Sequence, residues 1–209
     1  MNGLYRFALG VVRLVYPRWY RIETHGKEYL PQDDAGGCLF VSNHRSMADA
    51  VLIGMSSPRR QFCFLAKQEL FEKRFVGWFL KKLGAIAVDR GAGDMSPIEE
   101  LKGRLKNGDH ALIFPEGTRS KDGTLGRFKT GAALIAAQTG VPVIPVGISF
   151  EGKLHFRSKI TVSYGAPILL EAETPGDPRP AELKIMKQTM TKAVSGLLPM
   201  QAEAESDRT

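Results

Sequence analysis

The chain has 209 residues, 43% hydrophobic and 24% charged, a balance that excludes a disordered or fibrous protein and suits one folded domain with a small appendage. Lys and Arg number 29 against 22 Asp and Glu, so the formal charge is +7, which favours polyanionic partners: nucleic acid, anionic lipid headgroups or an acidic carrier protein. The two cysteines, Cys38 and Cys63, each stand inside an apolar run, which reads as two reduced core thiols and excludes both a disulfide framework and a zinc pair.

No stretch reaches the roughly 18 apolar residues that a membrane-spanning helix needs. Residues 4–16 are apolar but carry Arg6 and Arg13, and they lack the uncharged core and small-residue cleavage site of a signal peptide. On a helix, Asn2, Arg6, Gly10 and Arg13 form one narrow polar stripe, and Leu4, Phe7, Val11, Leu14 and Val15 fill the rest of the cylinder. Pro17 is expected to end this helix. Arg18, Trp19, Tyr20 and Arg21 follow, the residue types that an interfacial helix places at headgroup level. Residues 1–21 therefore read as an amphipathic helix lying in an anionic membrane surface, with a helix that packs on the domain by a broad face as the alternative.

From about residue 37 the pattern alternates. Short strands are expected over 38–42, 61–65, 84–88, 110–114, 142–150 and 159–164, with helices over 47–56, 68–83, 96–106 and 130–139. Ser96-Pro97-Ile98-Glu99 reads as a helix start, with Ser96 as the cap and Glu99 completing a capping box. This alternation predicts an α/β fold: a mostly parallel central sheet flanked by helices. Helix 68–83 joins Phe71, Phe75, Trp78 and Phe79 to Lys73, Arg74, Lys81 and Lys82, which makes it a second candidate for a lipid-facing patch. A last helix near 181–198 puts Leu183, Met186, Met190, Val194 and Leu197 on one face. The domain is thus expected to occupy 22–199, with 200–209 as a disordered polar tail.

Two constellations leave strand ends, where α/β sheets build their sites. The first is Asn43-His44-Arg45-Ser46-Met47-Ala48-Asp49. A carboxylate five residues beyond a histidine can hold one imidazole nitrogen protonated and leave the other free to accept a proton. The chain has no Gly-x-Ser-x-Gly elbow, no Walker loop and no Gly-x-Gly-x-x-Gly, and His25, His110 and His155 show no metal-ligand spacing with His44. A His–Asp pair without a protein nucleophile fits a general base that activates a substrate hydroxyl. The second constellation is Phe114-Pro115-Glu116-Gly117-Thr118-Arg119-Ser120, in which Pro and Gly fix a tight turn and Arg119 is a fork for phosphate. Arg127 and Lys129 add charge nearby. Lys67 and Arg90, also just past strands, are candidates to converge with Arg119 on one anion; on spacing alone they are equally well three unrelated solvated cations.

Together these blocks resemble the 1-acylglycerol-3-phosphate acyltransferase (lysophosphatidic acid acyltransferase) family of glycerolipid acyltransferases. Four match in order: Asn43-His44 through Asp49; Lys67-Gln68-Glu69-Leu70 with Gly84 through Arg90; Phe114 through Ser120; and Val141-Pro142-Val143-Ile144-Pro145-Val146. The resemblance implies that His44 is the base and Asp49 its partner. It further implies that Glu116, Gly117, Thr118 and Arg119 help bind the acceptor, with Lys67 and Arg90 contributing to its phosphate. The reaction it implies moves an acyl group from acyl-CoA or acyl-carrier protein to a lysolipid hydroxyl and gives phosphatidic acid, with no metal and no cofactor. Such a protein would sit peripherally on the cytoplasmic face of the inner membrane. Two rivals remain open: transfer to another lysolipid, such as a lyso-ornithine lipid, and a catalytically silent, basic lipid-binding module. Nucleic acid is not an expected partner, because the basic residues accompany apolar helices and no stacking surface.

Overall fold

A computed structural model describes residues 2–32, 36–56, 61–89, 94–120, 122–170 and 178–199. In chain order its elements are α1 (Gly3–Trp19), β1 (Arg21–His25), β2 (Leu39–Ser42), α2 (Asp49–Ser56), β3 (Phe62–Lys67), α3 (Arg74–Lys82), β4 (Ala85–Val88), α4 (Ser96–Lys106), β5 (His110–Ile113), α5 (Gly131–Thr139), β6 (Val143–Ser149), β7 (Lys159–Tyr164) and α6 (Pro180–Ser195). The strands form one sheet in the order β1-β7-β6-β2-β5-β3-β4. Every neighbouring pair is parallel except β6 with β7. This is the expected α/β architecture with a mostly parallel sheet.

Helices cover both faces, so the central strands are buried on both sides and read as unbroken apolar runs. Leu39 and Val41 of β2 point to one side, where they join Leu101 and Leu105 of α4, Ile135 of α5 and Val194 of α6. Phe40 points to the other and packs with Leu52 and Ile53 of α2 and with Tyr164. The carboxyl ends of β2, β3, β4, β5 and β6 share one edge of the sheet, with β2 between β5 and β6.

Four local expectations are corrected. First, β1 was not foreseen; it pairs with β7 and places Arg21 opposite Lys159. Second, α1 runs through Pro17 to Trp19, since proline near a helix end forfeits a single backbone bond, and the Tyr20 N–H still donates to the Tyr16 carbonyl at 2.7 Å. Third, the expected helix 68–83 is broken. A 3-10 turn at Gln68–Phe71 is separated from α3 by Lys73, whose backbone is extended. Gly77 lies so close to the Phe71 backbone that an added Cβ would stand 2.6 Å from its carbonyl oxygen. Fourth, Ser96 is not the cap of α4. The Asp94 carboxylate accepts from the Ser96 N–H and hydroxyl, both at 2.8 Å.

α1 is tied to the domain by its own polar residues. Asn2 caps the helix by accepting from the Tyr5 N–H, and its amide donates to the Lys82 carbonyl at 2.7 Å. The Arg13 guanidinium donates to the Met55 carbonyl at 2.9 Å. Tyr5 and Leu9 are buried, whereas Phe7, Val11, Leu14 and Val15 are exposed. The polar stripe thus serves partly as an attachment to protein, and an apolar face is left outward. Beneath α1 lies an apolar cavity of about 100 Å³, bounded by Tyr5, Leu9, Val12, Gly54, Phe64 and Leu83 among others.

Candidate active site

His44 sits two residues beyond the carboxyl end of the central strand. Asn43 holds that end in place: its amide donates to the Ile148 carbonyl at 2.9 Å and its side-chain oxygen accepts the Ile148 N–H at 2.8 Å. Asn43 therefore stitches β2 to β6 with two side-chain bonds just where the ladder stops. From sequence it is visible only as part of a motif.

The imidazole is fixed on two sides. His44 Nδ1 lies 2.8 Å from Asp49 Oδ2. The same oxygen accepts the N–H groups of Arg45 at 2.7 Å and Ser46 at 2.8 Å. Asp49 opens α2, and the tight turn from His44 curls around its carboxylate. Because a carboxylate only accepts, Nδ1 carries the proton and Nε2 keeps a lone pair. The ring face stacks on Phe114 with centroids 4.0 Å apart and planes at 16°. Asp49 is fully buried, while the His44 side chain keeps 18% of its surface exposed. One ring nitrogen is thus committed inward and the other is open to an incoming group.

The segment that follows β5 frames His44. Glu116 accepts the His44 N–H on Oε1 at 2.7 Å and the Gly126 N–H on Oε2 at 2.8 Å. The Ser120 N–H donates to the His44 carbonyl at 2.8 Å. Burial pushes the Glu116 carboxyl above the usual carboxylate range, against the pull of its two N–H donors. Gly117 has a φ of 75°, and an added Cβ would stand 2.8 Å from the Lys129 ammonium, so glycine serves both the turn and the close approach of that cation. Thr118 and Arg119 face solvent.

Sequence reasoning missed Arg45. Its guanidinium lies over the Phe150 ring, 4.1 Å from the centroid, and donates to the Phe150 carbonyl. Burial lowers its pKa, and Asp49 and Asp122 oppose that by favouring the charge. Arg45 thereby ties the turn that carries His44 to the end of β6.

The expected anion site is assembled only in part. Lys67 ends β3 and Arg119 follows β5, so both stand at the same sheet edge on neighbouring strands. Lys67 forms an exposed ion pair with Glu69. Arg90 lies outside the described residues. Among the described residues no cluster of His, Cys, Asp or Glu has the arrangement of a metal site.

A mostly parallel α/β sheet thus carries a carboxylate-backed imidazole at its carboxyl edge, the arrangement that a general base requires. Similarity to known proteins gives the family. A sequence model of the acyltransferase family matches residues 21–149, and the chain belongs to that family. It is 38% identical over 143 residues to the chloroplastic 1-acyl-sn-glycerol-3-phosphate acyltransferase of Brassica napus, covering 67% of this chain and 40% of the relative. With the 1-acyl-sn-glycerol-3-phosphate acyltransferase of Bacillus subtilis it shares 28% identity over 197 residues, covering 93% and 96% of the two chains. The chain therefore spans about two fifths of the plant relative and nearly all of the bacterial one. Among solved structures, the 1-acyl-sn-glycerophosphate acyltransferase PlsC of Thermotoga maritima superposes with a TM-score of 0.69 at 27% identity, covering 95% of this chain and 83% of that one.

Proposed function

We propose that the protein is an O-acyltransferase that moves a fatty acyl group from acyl-CoA or acyl-carrier protein to the free hydroxyl of 1-acylglycerol-3-phosphate, giving phosphatidic acid. The observation that carries this reading is the His44–Asp49 pair, 2.8 Å between Nδ1 and Oδ2, with the opposite ring nitrogen open at the sheet edge. His44 Nε2 takes the hydroxyl proton as the acceptor oxygen attacks the thioester carbonyl. Asp49 stabilises the imidazolium that forms. The tetrahedral intermediate then collapses, the carbon–sulfur bond breaks, and the proton passes to the thiolate leaving group. The products are ester and free thiol, so atoms and charge balance.

Arg119 and Thr118 face solvent at the turn, where they are available to the phosphate of the acceptor, whereas the Gly117 N–H already donates to the Phe114 carbonyl at 3.0 Å and shapes the turn. Lys67 and Arg90 complete the group of candidate cations. The apolar cavity beneath α1 offers a place for hydrocarbon, since the first turns of α2, which begins at Asp49, contribute Ala50 and Val51 to its wall. Exposed Phe7, Val11 and Leu14 on α1, and Phe75 and Trp78 beside the cations of α3, form the surface that meets an anionic membrane. From these apolar and basic faces we infer peripheral attachment, which we place on the cytoplasmic face of the inner membrane; no helix among the described residues is long and apolar enough to cross a membrane.

The test is thiol release from acyl-CoA and from acyl-carrier protein, measured with a panel of lysolipid acceptors. Turnover with 1-acylglycerol-3-phosphate supports the assignment. Turnover only with a phosphate-free acceptor, such as a lyso-ornithine lipid, replaces the acceptor and keeps the reaction. No release with any acceptor leaves the basic lipid-binding module as the reading.

A further inference from the structure

Glu116 stands in the segment that the acceptor is expected to meet, and its charge invites assignment as a substrate ligand. The geometry points to a different role: we propose that Glu116 is a positioning residue, which clamps the backbone of His44 to the loop at Gly126 and does not touch the acceptor. This rests on the proposed transferase reading, in which His44 is the base.

Both carboxylate oxygens are already engaged. Oε1 accepts the His44 N–H at 2.7 Å and Oε2 the Gly126 N–H at 2.8 Å. The residue is buried, with only 8% of its surface exposed. Around the same histidine, the Ser120 N–H donates to the His44 carbonyl and the Phe114 ring supports the imidazole face. Residues 114, 116 and 120 thus hold His44 by its ring, its N–H and its carbonyl. Asp49 sets the direction of the ring from its Nδ1 side. Fixing both the backbone and the ring leaves Nε2 one place to stand, and a misplacement of about 1 Å can cost about a hundredfold in rate.

Chemistry explains why this position needs a carboxylate. Two converging N–H donors require two acceptors, and an ionised carboxylate presents an acceptor on each oxygen. Glutamine presents one acceptor and one NH2, so one of the two donors would meet another donor. Gly126 is shaped to the same clamp. An added Cβ there would stand 2.5 Å from Glu116 Oε2 and 3.3 Å from its Cδ, so a side chain at 126 displaces the carboxylate.

The experiment compares Glu116→Gln and Gly126→Ala with the parental chain. It measures kcat per folded molecule, the KM values for donor and acceptor, and the melting temperature. In both variants kcat is expected to fall about ten- to a hundredfold. Acceptor KM should stay within about twofold, because both carboxylate oxygens are engaged by backbone N–H groups and leave the acceptor untouched. A role confined to stability would lower the melting temperature and leave kcat, assayed well below that temperature, at the parental value, and this outcome overturns the proposal. So does a large rise in acceptor KM at unchanged kcat in Glu116→Gln, which would make Glu116 a ligand after all. Gly126→Ala alters no charged group, so it tests the clamp even if Glu116→Gln does not fold. A parental chain that releases no thiol with any acceptor overturns the transferase reading itself, whereas an active parent with unperturbed variants overturns only this assignment.

Discussion

The rings of His44 and Phe114 lie face to face, 4.0 Å between centroids and 16° between planes. One residue leaves β2 and the other leaves β5, so the contact exists only because these strands are neighbours in the sheet. It restrains the imidazole against tilting about the axis that Asp49 defines. A ring–ring contact is worth about 0.5–1.5 kcal/mol, which corresponds to about a two- to tenfold effect on rate if the whole of it serves orientation. Phe114→Leu should lower kcat by that factor with little change in either KM. Steady-state kinetics with donor and acceptor varied separately checks it.

His44→Ala should lower transfer by about 10²–10⁴-fold, the usual cost of losing a general base, while the fold is kept. Asp49 requires more care. Its Oδ2 accepts from three N–H groups, and Asp49→Ala would strand Arg45 and Ser46 donors at the start of α2. A stranded buried donor costs about 1–3 kcal/mol of stability, and these half-buried donors cost less because water reaches them. Asp49→Asn keeps an oxygen acceptor for the turn and removes the charge, so it should lower kcat less than His44→Ala and leave the melting temperature closer to the parental value. Calorimetry beside the rate assay separates the two effects.

Much of this was readable in the residues. β7 and α4 fall at the bounds that alternation and helical spacing assign, because each is a self-contained local pattern. β1 is different: Arg21-Ile22-Glu23-Thr24-His25 is an edge strand with exposed charges, and its identity comes from pairing with Lys159–Tyr164 far along the chain. The break before α3 was hidden for a related reason, since the residues there are good helix formers and the fold-back depends on the Gly77–Phe71 approach. His44 and Asp49 are five apart, and sequence sufficed to pair them. Glu116 is 72 positions from His44 and bonds to its backbone, which no side-chain motif can announce.

Arg119 should act on acceptor binding. One charge-assisted contact to phosphate is worth about 1.5–3 kcal/mol, or about ten- to a hundredfold in KM. Arg119→Ala should therefore raise the acceptor KM by about that factor and leave the donor KM near its parental value. Lys67→Ala should do less, because Lys67 is already paired with Glu69 and must give up that partner to meet a phosphate. Equal effects of Arg119→Ala on both KM values would count against a phosphate contact.

Cys63 is buried in the sheet, and burial pushes its thiol up to about 11, partly offset by Arg104. Cys38 is buried as well. Only the thiolate reacts, so neither residue should be modified by a small aromatic disulfide near pH 8 while the protein is folded. Both should react at once in denaturant. Fast labelling of the native protein would show that the sheet opens locally.

The membrane surface is best tested without removing α1. Deleting residues 1–21 would unseat buried Tyr5 and Leu9, together with the Arg13 bond to Met55, and so would damage the domain as well as the surface. The outward residues can be changed alone: Phe7 is 69% exposed and Phe75 75% exposed, so neither supports the core. Replacing Phe7, Val11 and Leu14 by Ser removes the apolar face of α1 and leaves Arg6, Arg13 and Arg18 in place. Replacing Phe75 and Trp78 by Ser does the same for α3, whose Arg74, Lys81 and Lys82 remain. Each basic residue near an anionic surface contributes about 1 kcal/mol of attraction that weakens with salt, so residual binding of either variant should be salt-sensitive. Both sets should lower sedimentation with vesicles containing phosphatidylglycerol. They should also lower turnover of a long-chain lysolipid, yet largely spare a short-chain soluble acceptor that needs no membrane. Parental sedimentation of the α1 variant would remove that helix from the contact and leave α3 to carry it, and parental sedimentation of both would refute the surface.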